Sequence, residues 1–333
     1  MQSEAIILRP RTSWILGALV VATASIVAIP CLAQSSYPSR PISLIVGYPP
    51  GSSTDTLART IGEKMAESMG QPVVVESKSG ASGNVGTAFV ARSEPDGYTI
   101  LLSTDNPITT NGHLFKNLGF DPVKDFAPVS IAATNIICVV GAPNFPPNTL
   151  QEVIDYAKAN PGKVTFATSG IGSPHHLIGE SIKTRTGTDI VHAPYRGGGP
   201  ALADVLGGHV PMGIVSLSAA RPYIGTDKLK VYAISERERY PEIPKIPTIA
   251  ETLPGFYLTS WLGFVVPSAT PPDVVTKLNA EVAKALKNPD VVKRLTGMGL
   301  IPVGNSVADA KKMIADDLKR RGEIVKAAKL PMQ

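Results

Sequence analysis

The feature that most constrains this chain is a strand, a tight Gly/Ser-rich loop and a helix, written twice. Ile42–Tyr48 runs into Pro49-Pro50-Gly51-Ser52-Ser53, then a helix over Thr54–Met69 whose Leu57, Ile61 and Met65 share one stripe. Val164–Thr168 runs into Ser169-Gly170-Ile171-Gly172-Ser173, then a second helix opened by the cap pair Ser173-Pro174. Each unit has a matching sequel. Val73–Glu76 leads through Gly80-Ala81-Ser82-Gly83 to a short helix and the strand Thr99–Ser103. Ile190–Ala193 leads through Gly197-Gly198-Gly199 and the helix Pro200–Leu206 to the strand Gly213–Ser216. Leu229–Ile234 is a further strand candidate. The Val/Ile-rich runs lack polar alternation, as expected of strands covered on both faces, and strand–helix alternation predicts an α/β fold.

Two halves on one plan predict two α/β lobes. Crossings are expected near Ala133–Val140 and Leu258–Phe264, so that residues 34–134 and 258–333 form one lobe and 135–257 the other. Asn148 is expected to cap a helix with Leu150, Val153, Ile154 and Ala157 on its apolar face. Thr270-Pro271-Pro272 opens a helix to Lys287, Ser306 caps the last long one, and these C-terminal helices are expected to pack on the first lobe.

The N-terminus carries a separate signal. Arg9 and Arg11 precede an apolar run from Trp14 to Ile29, and Cys31-Leu32-Ala33 follows Pro30. A basic head, an apolar middle and a small-residue exit make a secretory signal peptide over residues 1–33, cleaved near Ala33. The competing reading is a retained anchor, for which the run is short against the roughly 20 residues a span needs. Lipidation at Cys31 is disfavoured by Pro30 just before it. Cleavage would leave Cys138 as the lone cysteine, so no internal disulfide is expected. The net charge of +5 is dispersed except at Lys319-Arg320-Arg321, which gives nucleic-acid binding little support.

Tight turns between strand and helix present backbone N–H groups and the positive end of a helix dipole, which is an anion site. For any single loop, glycine and serine are also ordinary capping residues. Four such loops in two matched sets favour a ligand gripped between lobes. Catalytic patterns are missing: neighbours His175 and His176 diverge by about 100° on a helix, too far to share one metal as an i, i+4 pair would. There is no Gly-x-Ser-x-Gly elbow, no phosphate-binding glycine motif, and Cys138 lies in the apolar run Ile136–Val140. Asp55, in a first helical turn, has a structural role. Arg196 is either a ligand contact or a solvated side chain.

These residues bring a family resemblance with them. Tyr37-Pro38-Ser39-Arg40-Pro41-Ile42, Pro49-Pro50-Gly51 with Asp55, Glu94-Pro95-Asp96-Gly97-Tyr98-Thr99 and Phe120-Asp121-Pro122 follow in order. So do Ser169-Gly170-Ile171-Gly172-Ser173, Pro194-Tyr195-Arg196-Gly197, Ile246-Pro247-Thr248 and Trp261-Leu262-Gly263. The chain resembles the substrate-binding receptors of tripartite tricarboxylate transporters, the Bug family. The resemblance implies a two-lobed type II periplasmic-binding-protein fold and capture of a small organic acid for membrane permease subunits. It implies ligand contacts at Tyr48, Pro50, Gly51, Ser52 and Ser53 in one lobe and at Ser169, Gly170, Gly172, Ser173 and Tyr195 in the other. Thr104 and Asp105 are further lining candidates. Two departures stand out: Ser52 where a second glycine is common, and Pro211 where an acid is usual.

The expected function is therefore a monomeric periplasmic receptor, not an enzyme, with no metal, cofactor or nucleic-acid partner. A sensory receptor of the same fold and an extracytoplasmic enzyme remain as alternatives.

Overall fold

The computed structural model describes residues 37–332 apart from Arg196, together with Gln2. The signal-peptide reading and Arg196 therefore fall outside the described residues. The chain opens with β1 (Ile42–Val46), α1 (Ser53–Met69), β2 (Val73–Ser77), α2 (Asn84–Ala91) and β3 (Thr99–Thr104). Next come β4 (Phe126–Asn135), β5 (Ile137–Gly141), α3 (Leu150–Ala159), β6 (Thr165–Thr168), α4 (Pro174–Thr186), β7 (Val191–Pro194) and α5 (Gly198–Leu206). Then follow β8 (Met212–Ser216), α6 (Leu217–Ala220), β9 (Lys230–Ile234), α7 (Ile249–Thr252) and β10 (Ser260–Pro267). The chain closes with α8 (Pro272–Leu286), α9 (Pro289–Gly297), β11 (Leu300–Pro302) and α10 (Val307–Ala327).

Two sheets result, ordered β11-β4-β10-β3-β1-β2 and β7-β6-β8-β5-β9. The internal echo is visible in both. β1 pairs in parallel with β2 and β3, and β6 does so with β7 and β8. In each sheet an antiparallel strand then joins the third member, β10 on β3 and β5 on β8. This is the two-lobed α/β fold the sequence predicts. Each lobe has its own core, one around Leu44, Ile61 and Phe264, the other around Val139, Phe166 and Ile214.

Local signals explain most element ends. Ser52, Ser173 and Ser306 accept from the amides of Asp55, His176 and Asp309, capping α1, α4 and α10. Gly70 and Gly187, both left-handed, close α1 and α4. One expectation is corrected: Thr149, not Asn148, caps α3, because its hydroxyl accepts from Glu152 N (3.1 Å) while the Asn148 amide donates to the Glu152 carboxylate. A second is extended. Helices α8 and α9 pack on the first lobe, but α10 touches both that lobe and α4 of the second. Among the described residues no helix is long and apolar enough to cross a membrane.

Candidate functional site

The first-lobe loop is organised by a buried carboxylate. Asp55 accepts from the Gly51 amide (3.0 Å) and receives two hydrogen bonds from Arg59 (3.1 and 3.0 Å), which hold its carboxyl below the usual range. Its structural role matches the sequence reading. Ser52 N in turn donates to Pro49 O (3.2 Å). Among the described residues this leaves the amides of Ser53 and Thr54 without an intramolecular acceptor, at the positive end of the 17-residue α1. Beside them Tyr48 shares a 2.7 Å hydrogen bond with Thr104 Oγ1, and burial pushes its phenol up to about 12, so it stays neutral. Gly47 allows the turn at Gly83 to approach, since a Cβ there would sit 2.8 Å from Gly83 O.

The second-lobe loop is braced by histidines. Gly172 N donates to His176 Nδ1 (3.1 Å), which places the His176 proton on Nε2, near Glu180. Gly170 N donates to Thr168 Oγ1 (3.2 Å), which lies 2.7 Å from His192 Nε2. The His176 and His192 rings stack at 4.0 Å, and burial drives His192 down to about 4. Ser173 N donates to Gly170 O (3.3 Å), so three amides are occupied within this loop. Among the described residues those of Ile171 and His175 remain without an acceptor at the start of α4.

His175 links two hydroxyls. Its Nδ1 lies 2.8 Å from Ser169 Oγ and its Nε2 3.3 Å from Ser216 Oγ, which also accepts from Asn135 Nδ2 (3.0 Å). Burial pushes the imidazole down to about 4, so near neutral pH it has one donor and one acceptor nitrogen. It must receive a proton from one serine and give one to the other. One serine hydroxyl proton is thus left for another acceptor.

All four Gly/Ser loops open onto one cavity of 570 Å³ between the lobes. Of the residues singled out from the sequence, Tyr48, Ser52, Ser53, Thr104, Asp105, Ser169, Gly170, Ser173 and Tyr195 line it. Pro50, Gly51 and Gly172 are not part of its wall, and the amides of Gly51 and Gly172 face Asp55 and His176. The Tyr195 hydroxyl is engaged by Asp204. Pro211 stands before β8, at the end of that strand away from Ser216, and does not line the cavity either. Sequence reasoning missed Asn106, Asn135, His175 and Ser216. Ser216 was within reach: it ends β8 where Thr104 ends β3, so the echo that pointed to one points to the other.

Asp105 is the anchored member. Its Oδ2 accepts from Arg321 Nη2 (2.7 Å) and Trp261 N (3.2 Å). Arg321, on α10 and 0% exposed, also donates to Thr259 O (2.9 Å). Trp261 Nε1 donates to Asp317 Oδ2 (2.7 Å). Burial raises the Asp105 carboxyl while the Arg321 guanidinium opposes that rise. No lysine or arginine appears among the described residues of the cavity wall. Among the described residues no three His, Cys, Asp or Glu side chains converge as a metal site. Cys138 is buried and its thiol is pushed up to about 12.

The sequence pattern of the tripartite tricarboxylate transporter family receptors matches residues 57–330. The chain belongs to that family. The resemblance read from the loop motifs is thereby borne out. BugT of Bordetella pertussis (strain Tohama I) is 36% identical over 310 residues, covering 92% of this receptor and 94% of BugT. The R. palustris protein Rpa4515, solved with adipate, is 32% identical with a TM-score of 0.80, over 89% of this chain and 100% of that one. MatC from Rhodopseudomonas palustris, solved with bound malate, is 31% identical with a TM-score of 0.75, over 87% of this chain and 100% of that one.

Proposed function

We propose that this receptor is exported, captures a small organic carboxylate between its lobes in the periplasm, and delivers it to the membrane permease of a tripartite transporter. The observation that carries this reading is the pair of helix N-termini, α1 and α4, opening with unpaired amides onto one cavity. Such amides hold carboxylates without basic side chains. Adipate on Rpa4515 and malate on MatC support a dicarboxylate of similar size. The ligand contacts would come from Ser52, Ser53, Tyr48 and Thr104 on one side and from Ser169, Gly170, Ser173 and Ser216 on the other. Lobes divided near residues 134/135 and 257/258 would close by a hinge, creating the surface a permease reads. The matched family is one of transporter receptors, so binding without turnover is the reading, and the turnover arm of the test below covers the Ser169–His175 pair (2.8 Å) in the wall.

A thermal-unfolding screen of the leaderless chain against mono-, di- and tricarboxylates tests the proposal. A true ligand at 100 times its dissociation constant adds about 2.7 kcal/mol of stability. No stabilisation by any acid, or turnover of one, would sink it.

A further inference from the structure

The cavity wall contains acceptors as well as anion-ready amides. Asp105, Asn106 and Asn135 each keep a side-chain oxygen that is buried from solvent and has no hydrogen-bond partner. Asp105 is the most informative of them. Its Oδ2 is held by Arg321 and the Trp261 amide, the neighbouring Ser260 hydroxyl also favours the ionised carboxyl, and Oδ1 has no partner in hydrogen-bond geometry. An amide can be turned to present its nitrogen, but an ionised carboxylate offers acceptors alone. An unbranched diacid brings no donor to such an oxygen, and a buried acceptor left unmet is costly.

Asp105 directly follows β3, a central strand, while α1 and α4 open onto the cavity from different lobes. An acid in a wall otherwise built to hold anions works against binding unless the ligand meets it with a proton. Building on the carboxylate-receptor reading above, we propose that the receptor selects carboxylates whose carbon skeleton bears a hydrogen-bond donor, a hydroxyl or an ammonium group, and that Asp105 is the specificity residue that accepts from it. Asn106 and Asn135 supply further acceptors on the same wall.

Isothermal titration of the leaderless receptor with matched acids tests this. One series is succinate, malate and aspartate; the other is glutarate, 2-hydroxyglutarate and glutamate. In the series that fits the cavity, a donor-bearing member should bind at least tenfold more tightly than the plain diacid. Malate against aspartate tells hydroxyl from ammonium. Asp105→Asn, checked for folding by its unfolding transition, should bring the two affinities to within threefold. The wild-type comparison needs no variant, so a poorly folded Asp105→Asn does not shield the proposal. Plain diacids binding as tightly as their substituted partners would overturn it and leave the carboxylate reading standing. A preference that persists in folded Asp105→Asn would overturn the assignment to Asp105. Binding by none of the six, with stabilisation by other acids lacking a donor, would also overturn it; no response to any acid removes both readings.

Discussion

Replacing Arg321 with methionine probes the link between the cleft and the C-terminal helix. Arg321 is fully buried and lies 2.7 Å from Asp105 Oδ2 and 3.7 Å from Asp317 Oδ2, whose side chains are 1% and 8% exposed. At 2.7 Å and an effective dielectric constant of about 20, the closer pair attracts by about 6 kcal/mol. Desolvation of both groups offsets much of that, so the pair itself adds little net stability. Removing one partner is different, because the desolvation cost of Asp105 stays while its counter-charge goes. Arg321→Met is therefore expected to cost about 3–5 kcal/mol. Urea unfolding at pH 7, followed by tryptophan fluorescence, measures it, since Trp261 donates to both members of the acidic pair. Adding Asp105→Asn should recover part of the loss, with a coupling of at least about 1 kcal/mol in the double-mutant cycle. A loss below about 1 kcal/mol for Arg321→Met, or strict additivity in the cycle, would refute the reasoning.

Two further outcomes follow from single residues. Burial pushes the Glu236 carboxyl up to about 7, against a hydrogen bond from Thr259. The folded state thus keeps a proton that the unfolded chain releases near pH 4.3, and stability should fall as pH rises through that window, by at most about 1.4 kcal/mol per unit. Glu236→Gln should flatten this slope in urea midpoints taken at pH 5, 6, 7 and 8; identical slopes would disprove it. Gly170 has φ +132°, and a Cβ there would lie 3.3 Å from Tyr195 O. Gly170→Ala should carry roughly 1–3 kcal/mol of local strain and weaken ligand binding at least tenfold by titration calorimetry, with the circular dichroism spectrum unchanged.

Parts of the fold were legible because their causes are local. The runs that become β1, β3 and β8 keep consecutive buried apolar residues, Leu44–Val46, Ile100–Leu102 and Ile214–Val215, since both faces are covered, and Ser52, Ser173 and Ser306 mark helix starts by their own hydroxyls. The segments Ala133–Val140 and Leu258–Phe264 read as crossings, and the chain does change sheets there, but the strands β4, β5 and β10 that carry it across were not read. Those strands pair over long separations: β10 binds β3 and β4, and Leu262 faces both Thr104 and Ala133. No local period reports such a partner. The same limit hid Arg321, which reads only as part of the basic run Lys319-Arg320-Arg321 and is sealed against an acid 216 residues away. At the loops, sequence motifs located the turns but not which amides they leave open. Asp55 and His176 occupy Gly51 and Gly172, a matter of side-chain geometry one helical turn further on.

That division of labour bears on how ligand choice is set. Amides at the starts of α1 and α4 are held by caps and loop bonds that close within six residues, braced in the second lobe by His192, so their affinity for a carboxylate is set close to the loops. The residues at the strand ends, Thr104, Asp105, Asn135 and Ser216, line the cavity from the sheets and take no part in those caps. Altering them should change which carboxylate is preferred while leaving carboxylate binding itself in place. Asp105 is the exception among them. Its second oxygen is tied to Arg321 and Trp261, so a change there disturbs the junction of β10 and α10 as well as the ligand. Selectivity should therefore be easier to alter at Asn135 and Ser216 than at Asp105, where a new ligand requires a new partner for the buried guanidinium.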